Sequence, residues 1–196
     1  MLQETIRPDG SPDIHLRITP IVLRHFRRYE FARDHLTPVT VLDVASGSGY
    51  GKDLLGPDFT YVGIDAAPEA VRYANQAYGN GHFHQGDINH LQYADEHFDN
   101  VVSMETLEHL DEAAPALSEL RRVLKPGGKL AASIPLNHPD LVHHKRVYCF
   151  SEAKALFTGM GLSRLDLFLQ THMRIEPVTV EPDDQSAGTL VVIGRK

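Results

Sequence analysis

Apolar positions in this chain fall in short runs, and the period within them switches along the sequence. Runs rich in β-branched and aromatic residues stand at 39–45 (VTVLDVA), 60–65 (TYVGID), 82–87 (HFHQGD), 98–104 (FDNVVSM), 128–135 (GKLAASIP), 163–170 (SRLDLFLQ) and 189–196 (TLVVIGRK). Each predicts a strand. Between the first five the spacing is helical: a short helix at 50–56, one over Pro68–Ala77, and one over Asp111–Leu124 stopped by KPGG. Ile21, Val22, Phe26, Tyr29 and Phe31 predict a helix from Thr19 to about His35, ahead of Pro38, and Ser151–Met160 predicts another with Ser151 as N-cap.

Strands alternating with helices predict a parallel sheet covered on both faces, an α/β three-layer sandwich. The last two strands follow one another without a helix and are expected as an antiparallel pair at one edge, making seven strands in all. The stretch from Thr171 to Gly188 reads as a long loop. His82 and His84 alternate along the third strand and are expected to pack on one face. Residues 1–18 read as a flexible tail ahead of one domain over 19–196.

One stretch does not look like ordinary strand-and-turn sequence. In VLDVASGSGYG, residues 41–51, a strand runs into a loop nearly devoid of side chains, with Gly47, Gly49 and Gly51 at alternate positions. Backbone so exposed suits the close approach of a large polar ligand. The spacing is not the G-x-G-x-x-G of a dinucleotide site, nor the G-x-x-x-x-G-K-[ST] of a phosphate loop. Asp43 before the loop would repel a pyrophosphate and suits a cationic or amino-bearing ligand. Asp65 closes the second strand, where a carboxylate can accept both hydroxyls of a ribose. Asp87 closes the third, where it can accept from an adenine amino group while the Ile88 N–H donates to a ring nitrogen.

Composition narrows the field. The 196 residues carry a formal charge of −7, which disfavours a broad nucleic-acid-binding surface. Cys149 is the one cysteine, so no internal disulfide forms and a reducing compartment is expected. The first residues are polar and no apolar run approaches a membrane span, so the sequence reads as cytoplasmic.

Together these segments resemble the class I, Rossmann-like S-adenosylmethionine-dependent methyltransferases, including the small-molecule and ubiquinone-type enzymes. VLDVASGSGYG is similar to their first motif, VGIDAAPEAVRYA to their second, GDI to the adenine-side motif, and FDNVVSMETLEHL with LRRVLKPGGKLAASIP to the stretches around strands four and five. The resemblance covers roughly Arg28 to Ile193. It departs at Ala45, where the family usually has glycine. It implies a seven-stranded, mostly parallel sheet with an antiparallel last strand and S-adenosylmethionine as cofactor. It also implies a cofactor site drawn from Asp43, Ala45, Ser46, Gly47, Gly49, Tyr50, Asp65, Ala66, Gly86, Asp87, Ile88, Met104 and Glu105. In this set Asp43 anchors the loop and meets the amino end of the cofactor, directly or through water.

After the fourth strand, METLEHL offers Glu105, Glu108 and His109, and His109 is the best-placed general base because imidazole titrates near neutrality. The loop after the fifth strand borders the acceptor pocket in similar enzymes. It holds His138, His143 and His144, and there His144 and Tyr148 are candidates for contact with the acceptor. These histidines show no tight ligand spacing, so no metal is expected. The sequence lacks both the proline before a nucleophilic cysteine and the PPY-type signature of DNA methyltransferases. An oxygen or nitrogen of a small-molecule, sugar or lipid acceptor is therefore expected, with oxygen preferred on the METLEHL stretch. Arg28 and Tyr29 are candidates for a lid over the cofactor. A second copy or a partner subunit is a candidate contributor to the acceptor pocket. Two rival readings are a non-catalytic S-adenosylmethionine-binding partner module and a nicotinamide oxidoreductase, the latter disfavoured by the glycine spacing.

Overall fold

The computed structural model describes residues 20–138 and 144–196. The expected tail at 1–18 and His143 lie outside the described residues. In chain order the elements are α1 (Pro20–His35), β1 (Thr40–Val44), α2 (Gly51–Leu55), β2 (Thr60–Asp65), α3 (Pro68–Tyr78), β3 (Phe83–Gln85), β4 (Phe98–Met104), a 3-10 turn (Leu107–His109), α4 (Ala113–Val123), β5 (Leu124–Leu136), α5 (Phe150–Gly159), β6 (Arg164–Thr171), β7 (Arg174–Pro177) and β8 (Gly188–Arg195). The strands form one sheet in the order β3-β2-β1-β4-β5-β8-β6-β7.

The five strands from β3 to β5 run parallel, and β8 inserts antiparallel between β5 and β6. Alternation within the central strands explains the three layers. Leu42 and Val44 of β1, Val101 of β4, Leu130, Ala132 and Ile134 of β5, and Leu190 and Val192 of β8 face α4 and α5. The residues between them, Val41, Val102, Ala131, Val191 and Ile193, face Tyr29, Phe31, Leu55 and Ala74 of α1, α2 and α3. Each fully buried Leu or Phe, such as Leu42 or Phe157, withdraws an apolar side chain at a gain of about 1.5–3 kcal/mol. No helix among the described residues is long and apolar enough to cross a membrane.

The structure corrects the sequence reading in several places. The sheet has eight strands, not seven. The extra strand, β7, lies inside the expected 171–188 loop and pairs with β6 through Thr171–Arg174, Gln170–Ile175 and Leu169–Glu176. Its two-residue turn, His172–Met173, puts His172 at φ 57 without the Gly or Asn that usually announces such a hairpin. KPGG does not follow a helix as a free loop. Leu124 already pairs with Phe98, and the glycines form an irregularity before Asn100 pairs with Lys129. A side chain at Gly128 would come within 2.9 Å of the Asp99 carbonyl, which explains the glycine there. Cys149, not Ser151, caps α5, and its N–H donates to Glu152 Oε2 at 3.0 Å. Ser151 instead donates its N–H and hydroxyl to Asp184, each at 2.8 Å. His84 is exposed on a three-residue strand and His82 precedes it, so they do not share a packed face.

Three neighbouring strands end in the same unusual way. Ala45 after β1 (φ 59), Glu105 after β4 (φ 50) and Asn137 after β5 (φ 50) all take left-handed backbone that disfavours any residue with a Cβ. The sheet's carboxyl edge is therefore built from sharp, strained reversals, a feature that concentrates at functional sites. Ala45→Gly is expected to raise the unfolding free energy by about 0.5–1 kcal/mol, relief of strain exceeding the added entropy of an unfolded glycine. Denaturant titration measures it, and a loss of stability would show that Ala45 carries no strain.

Candidate active site

The carboxyl edge of the sheet gathers most of the residues singled out in the sequence. After Ala45 the chain climbs over the sheet with Ser46, Gly47, Gly49 and Tyr50 all buried, and Ser46 N–H donates to the Ile64 carbonyl at 2.9 Å. Gly47 takes φ 55 and Gly49 φ 88. The glycines here also serve packing within the protein. A Cβ on Gly49 would lie 2.7 Å from Ala74 and 2.8 Å from the Phe83 ring, and one on Gly51 2.4 Å from Tyr29 and 2.5 Å from Asp43 Oδ2. Tyr50 closes the loop by packing its ring on Phe26 and Tyr29.

Asp65 is where β2 meets this loop. Its carboxylate accepts the Gly47 N–H at 2.8 Å and the Ala67 N–H at 2.9 Å, one on each oxygen. Two oxygens offer about four acceptor positions, so each keeps capacity for a hydroxyl. Ala66 beside it is exposed. On β2's other side, Gly86 donates its N–H to the Asp65 carbonyl at 3.0 Å, which brings Asp87 and the buried Ile88 to the neighbouring strand end. Asp87 is exposed, with one oxygen held by the Asn89 N–H at 2.8 Å.

Asp43 departs from its expected position. It is fully enclosed and lies on the α1 side of β1, where Tyr61 donates its hydroxyl to Oδ2 at 2.6 Å and the Tyr29 hydroxyl is 3.1 Å from both oxygens. These bonds tie β1, β2 and α1 at one point beneath the glycine loop. Burial pushes the Asp43 carboxyl up to about 7, against the two tyrosine hydrogen bonds that lower it, with the nearby Asp65 adding to the rise. Burial also holds the Tyr29 and Tyr61 hydroxyls well above their ordinary range. Tyr29 is thus a support for Asp43 rather than a lid.

The second cluster surrounds the end of β4. Met104 is buried, and the Glu105 N–H donates to the Ser133 carbonyl and to Ser133 Oγ, both at 3.1 Å. Glu105 Oε2 lies 3.4 Å from Arg28 Nη1, and Arg28 is itself buried, donating to Gln170 Oε1 and to Thr189 Oγ1 at 3.1 Å. Arg28 therefore belongs to the floor of the site. Glu108 follows on the 3-10 turn, 1% exposed, with no hydrogen-bond partner for either carboxylate oxygen among the described residues. Burial first, and then the negative charge of Glu105, hold its carboxyl well above the ordinary range; its own N–H and Arg28 oppose this. His109 is partly exposed with Nε2 3.8 Å from Glu108 Oε1, and its ring meets that of His144 at 5.1 Å between centroids. The chain at 145–146 is clamped here: Lys145 and Arg146 donate their N–H groups to the Glu108 carbonyl at 2.9 and 3.1 Å. Tyr148 is buried, and His138 is exposed with its ring 5.6 Å from that of His144.

Two carboxylate-bearing strand ends beside a glycine loop thus stand on one side of the edge, and a carboxylate–imidazole cluster on the other. A model of the methyltransferase domain family matches residues 42–132, which include Asp43, Asp65, Asp87, Glu105, Glu108 and His109 but not Arg28, Ser133 or His144. Over this stretch, just under half of the chain, the sequence is similar to methyltransferase domains. Over 115 residues it is 33% identical to a probable S-adenosylmethionine-dependent methyltransferase of Mycolicibacterium smegmatis, covering 56% of this chain and 45% of that protein. Over 93 residues it is 34% identical to a demethylmenaquinone methyltransferase of Chlorobaculum parvum, covering 45% and 37%. These matches span under half the length of those relatives. The fold aligns with a methyltransferase structure from Thermotoga maritima at TM-score 0.69 and 19% identity, over 90% of this chain and 92% of that one.

S-adenosylmethionine is the cofactor of this domain family, and the residues present fit it. Asp65 keeps acceptor capacity for ribose hydroxyls, Asp87 presents a carboxylate beside Ile88, and carboxylates rather than phosphate-binding cations surround the loop where a sulfonium would lie. Sequence reasoning missed Tyr61, Ser133, Gln170 and Thr189, which act only through partners distant in the chain. Tyr61 alone left a trace: it precedes Gly63, the residue paired with Asp43, by one alternation of β2.

The enclosed Asp43 has a consequence for stability. A carboxyl whose folded pKa of about 7 exceeds its unfolded value binds more protons when folded between those pH values. Its contribution is then largest below about pH 4 and is lost as pH rises toward 7, by at most about 4 kcal/mol. Asp43→Asn is expected to flatten this fall, so the difference in unfolding free energy between variant and wild type should move in favour of the variant from pH 4 to 7. A pH-independent difference would show Asp43 to be ionised throughout.

Proposed function

We propose that this chain is an enzyme that transfers a methyl group from S-adenosylmethionine to an oxygen or nitrogen of a small-molecule, sugar or lipid acceptor. The observation that carries the reading is the bond from the Gly47 N–H to the Asp65 carboxylate, which locks the strand-one loop to the strand-two acid within the region matching the family. Asp65 would hold the ribose hydroxyls, Asp87 and Ile88 would hold the adenine, and the Ala45–Tyr50 backbone would meet the methionine end. When bound, S-adenosylmethionine would supply an activated methyl carbon for a lone pair of the acceptor, with the electron pair of the broken carbon–sulfur bond left on sulfur. Glu105, fixed by Arg28 and Ser133, borders the methyl side. Alignment of acceptor and methyl group supplies most of the rate, with loss of the acceptor's proton as the remaining task. That proton leaves at the face formed by His109 and His144, where the rings meet at the surface. The formal charge of −7 and relatives named for demethylmenaquinone and arsenite methylation support a small acceptor over a nucleic acid.

Calorimetry with S-adenosylhomocysteine and with NAD tests the cofactor assignment. Binding of the first and not the second is expected, and the reverse would replace the reading with an oxidoreductase. Asp65→Ala is expected to weaken S-adenosylhomocysteine binding by about 1–3 kcal/mol, the scale of a lost hydrogen bond to a charged group; unaltered affinity would end the ribose role. His109→Ala is expected to lower kcat at least about 10-fold with S-adenosylhomocysteine affinity unchanged, and full turnover would remove His109 from the chemistry.

A further inference from the structure

The cluster beyond β4 contains more than proton transfer requires. Glu108, His109 and His144 each offer one ligand-type atom, and these atoms lie within 4.8 Å of one another. Glu108 is enclosed, and neither of its oxygens has a hydrogen-bond partner among the described residues. Buried carboxylates are ordinarily paired or bound to a cation. The neighbouring cations have other partners, although Arg28 also acts on Glu108 at longer range. Arg28 faces Glu105 at 3.4 Å, Lys145 Nζ pairs with Asp111 at 2.7 Å, and Arg146 Nε donates to the Asp111 carbonyl at 2.8 Å.

We propose that Glu108, His109 and His144 form a binding site for a divalent transition-metal ion, with zinc the best match. Two imidazoles and one carboxylate are a zinc-type set of three protein ligands that leaves a fourth position open. Calcium and magnesium instead take all-oxygen shells. A tetrahedral ion with bonds of about 2.0–2.1 Å holds its ligands about 3.4 Å apart. Glu108 Oε1 and His109 Nε2 are already at 3.8 Å, all three ligand atoms lie within 4.8 Å, and binding requires side-chain rotations that draw in His144, whose Nδ1 lies 3.3 Å from the His138 carbonyl. The backbone keeps the three residues in register. Glu108 and His109 are consecutive on the 3-10 turn, and the Lys145 and Arg146 N–H groups bind the Glu108 carbonyl next to His144. Glu108 closes the inner side, while His109 and His144 reach the surface, so the open position faces solvent and acceptor.

The role of the ion rests on the proposed methyl transfer, although its binding does not. An acceptor hydroxyl in the open position is bound by the cation through its oxygen and gives its proton to solvent more readily, leaving an alkoxide as nucleophile. His109 then acts as a ligand of the ion.

The test uses the full chain, stripped with chelator and dialysed, and titrated calorimetrically with zinc chloride and with manganese chloride. One ion per chain is expected, zinc binding more tightly than manganese, with at least 10-fold weaker zinc binding in both His144→Ala and Glu108→Gln. Glu108 is buried and its variant risks misfolding, whereas His144 is partly exposed, so His144→Ala alone decides the matter. A wild-type titration indistinguishable from that of His144→Ala overturns the site. Parallel titration with S-adenosylhomocysteine separates the two proposals. Nucleoside binding without zinc binding overturns the ion site and leaves methyl transfer standing. Zinc binding lost in His144→Ala without nucleoside binding supports the ion site and ends the methyl-transfer reading.

Discussion

Besides Asp65, which two backbone N–H groups meet, three carboxyl groups are held in or near the protein interior beneath the carboxyl edge of the sheet, and the fold answers each differently. Asp43 is met by the hydroxyls of Tyr29 and Tyr61, and Glu105 by the guanidinium of Arg28. Glu108 is met by no hydrogen-bond donor among the described residues. Desolvation penalises an unpaired charge far more than a paired one. The first two charges are therefore compensated within the fold, whereas burial holds the Glu108 carboxyl toward its neutral form.

That difference divides the edge into two working halves. On one side, α1 and the tyrosine pair fix the glycine loop over β1, and Asp65 binds the loop from β2. On the other, Arg28 reaches from α1 to Glu105, Gln170 and Thr189, so one helix braces β4, β6 and β8 together. The left-handed residues Ala45, Glu105 and Asn137 turn the chain sharply at three adjacent strand ends. Such reversals present backbone and carboxylates at the carboxyl edge of the sheet without long loops.

Legibility in the sequence followed the range of the interactions. The acids closing β2 and β3 were readable because strand ends are marked locally, by an apolar run stopping at a polar residue. The direction of the Asp43 side chain was not. Its partners, Tyr29 and Tyr61, come from α1 and β2, and only assembly of the sheet brings them to one carboxylate. β7 escaped notice because the turn at His172 lacks the residues that normally advertise left-handed backbone. The partners of Arg28 lie on the last strands, far along the chain, and nothing near Gln170 or Thr189 marks them.

The sequence by itself determined the alternation of strands and helices, the glycine-rich turn after β1 and the acids at successive strand ends, because periodicity and local backbone preference are encoded residue by residue. Tertiary structure alone decided which acids are sealed and which remain available, and that His144 comes to rest beside Glu108 and His109. Those outcomes depend on burial and on charge compensation, and both are properties of neighbours in space.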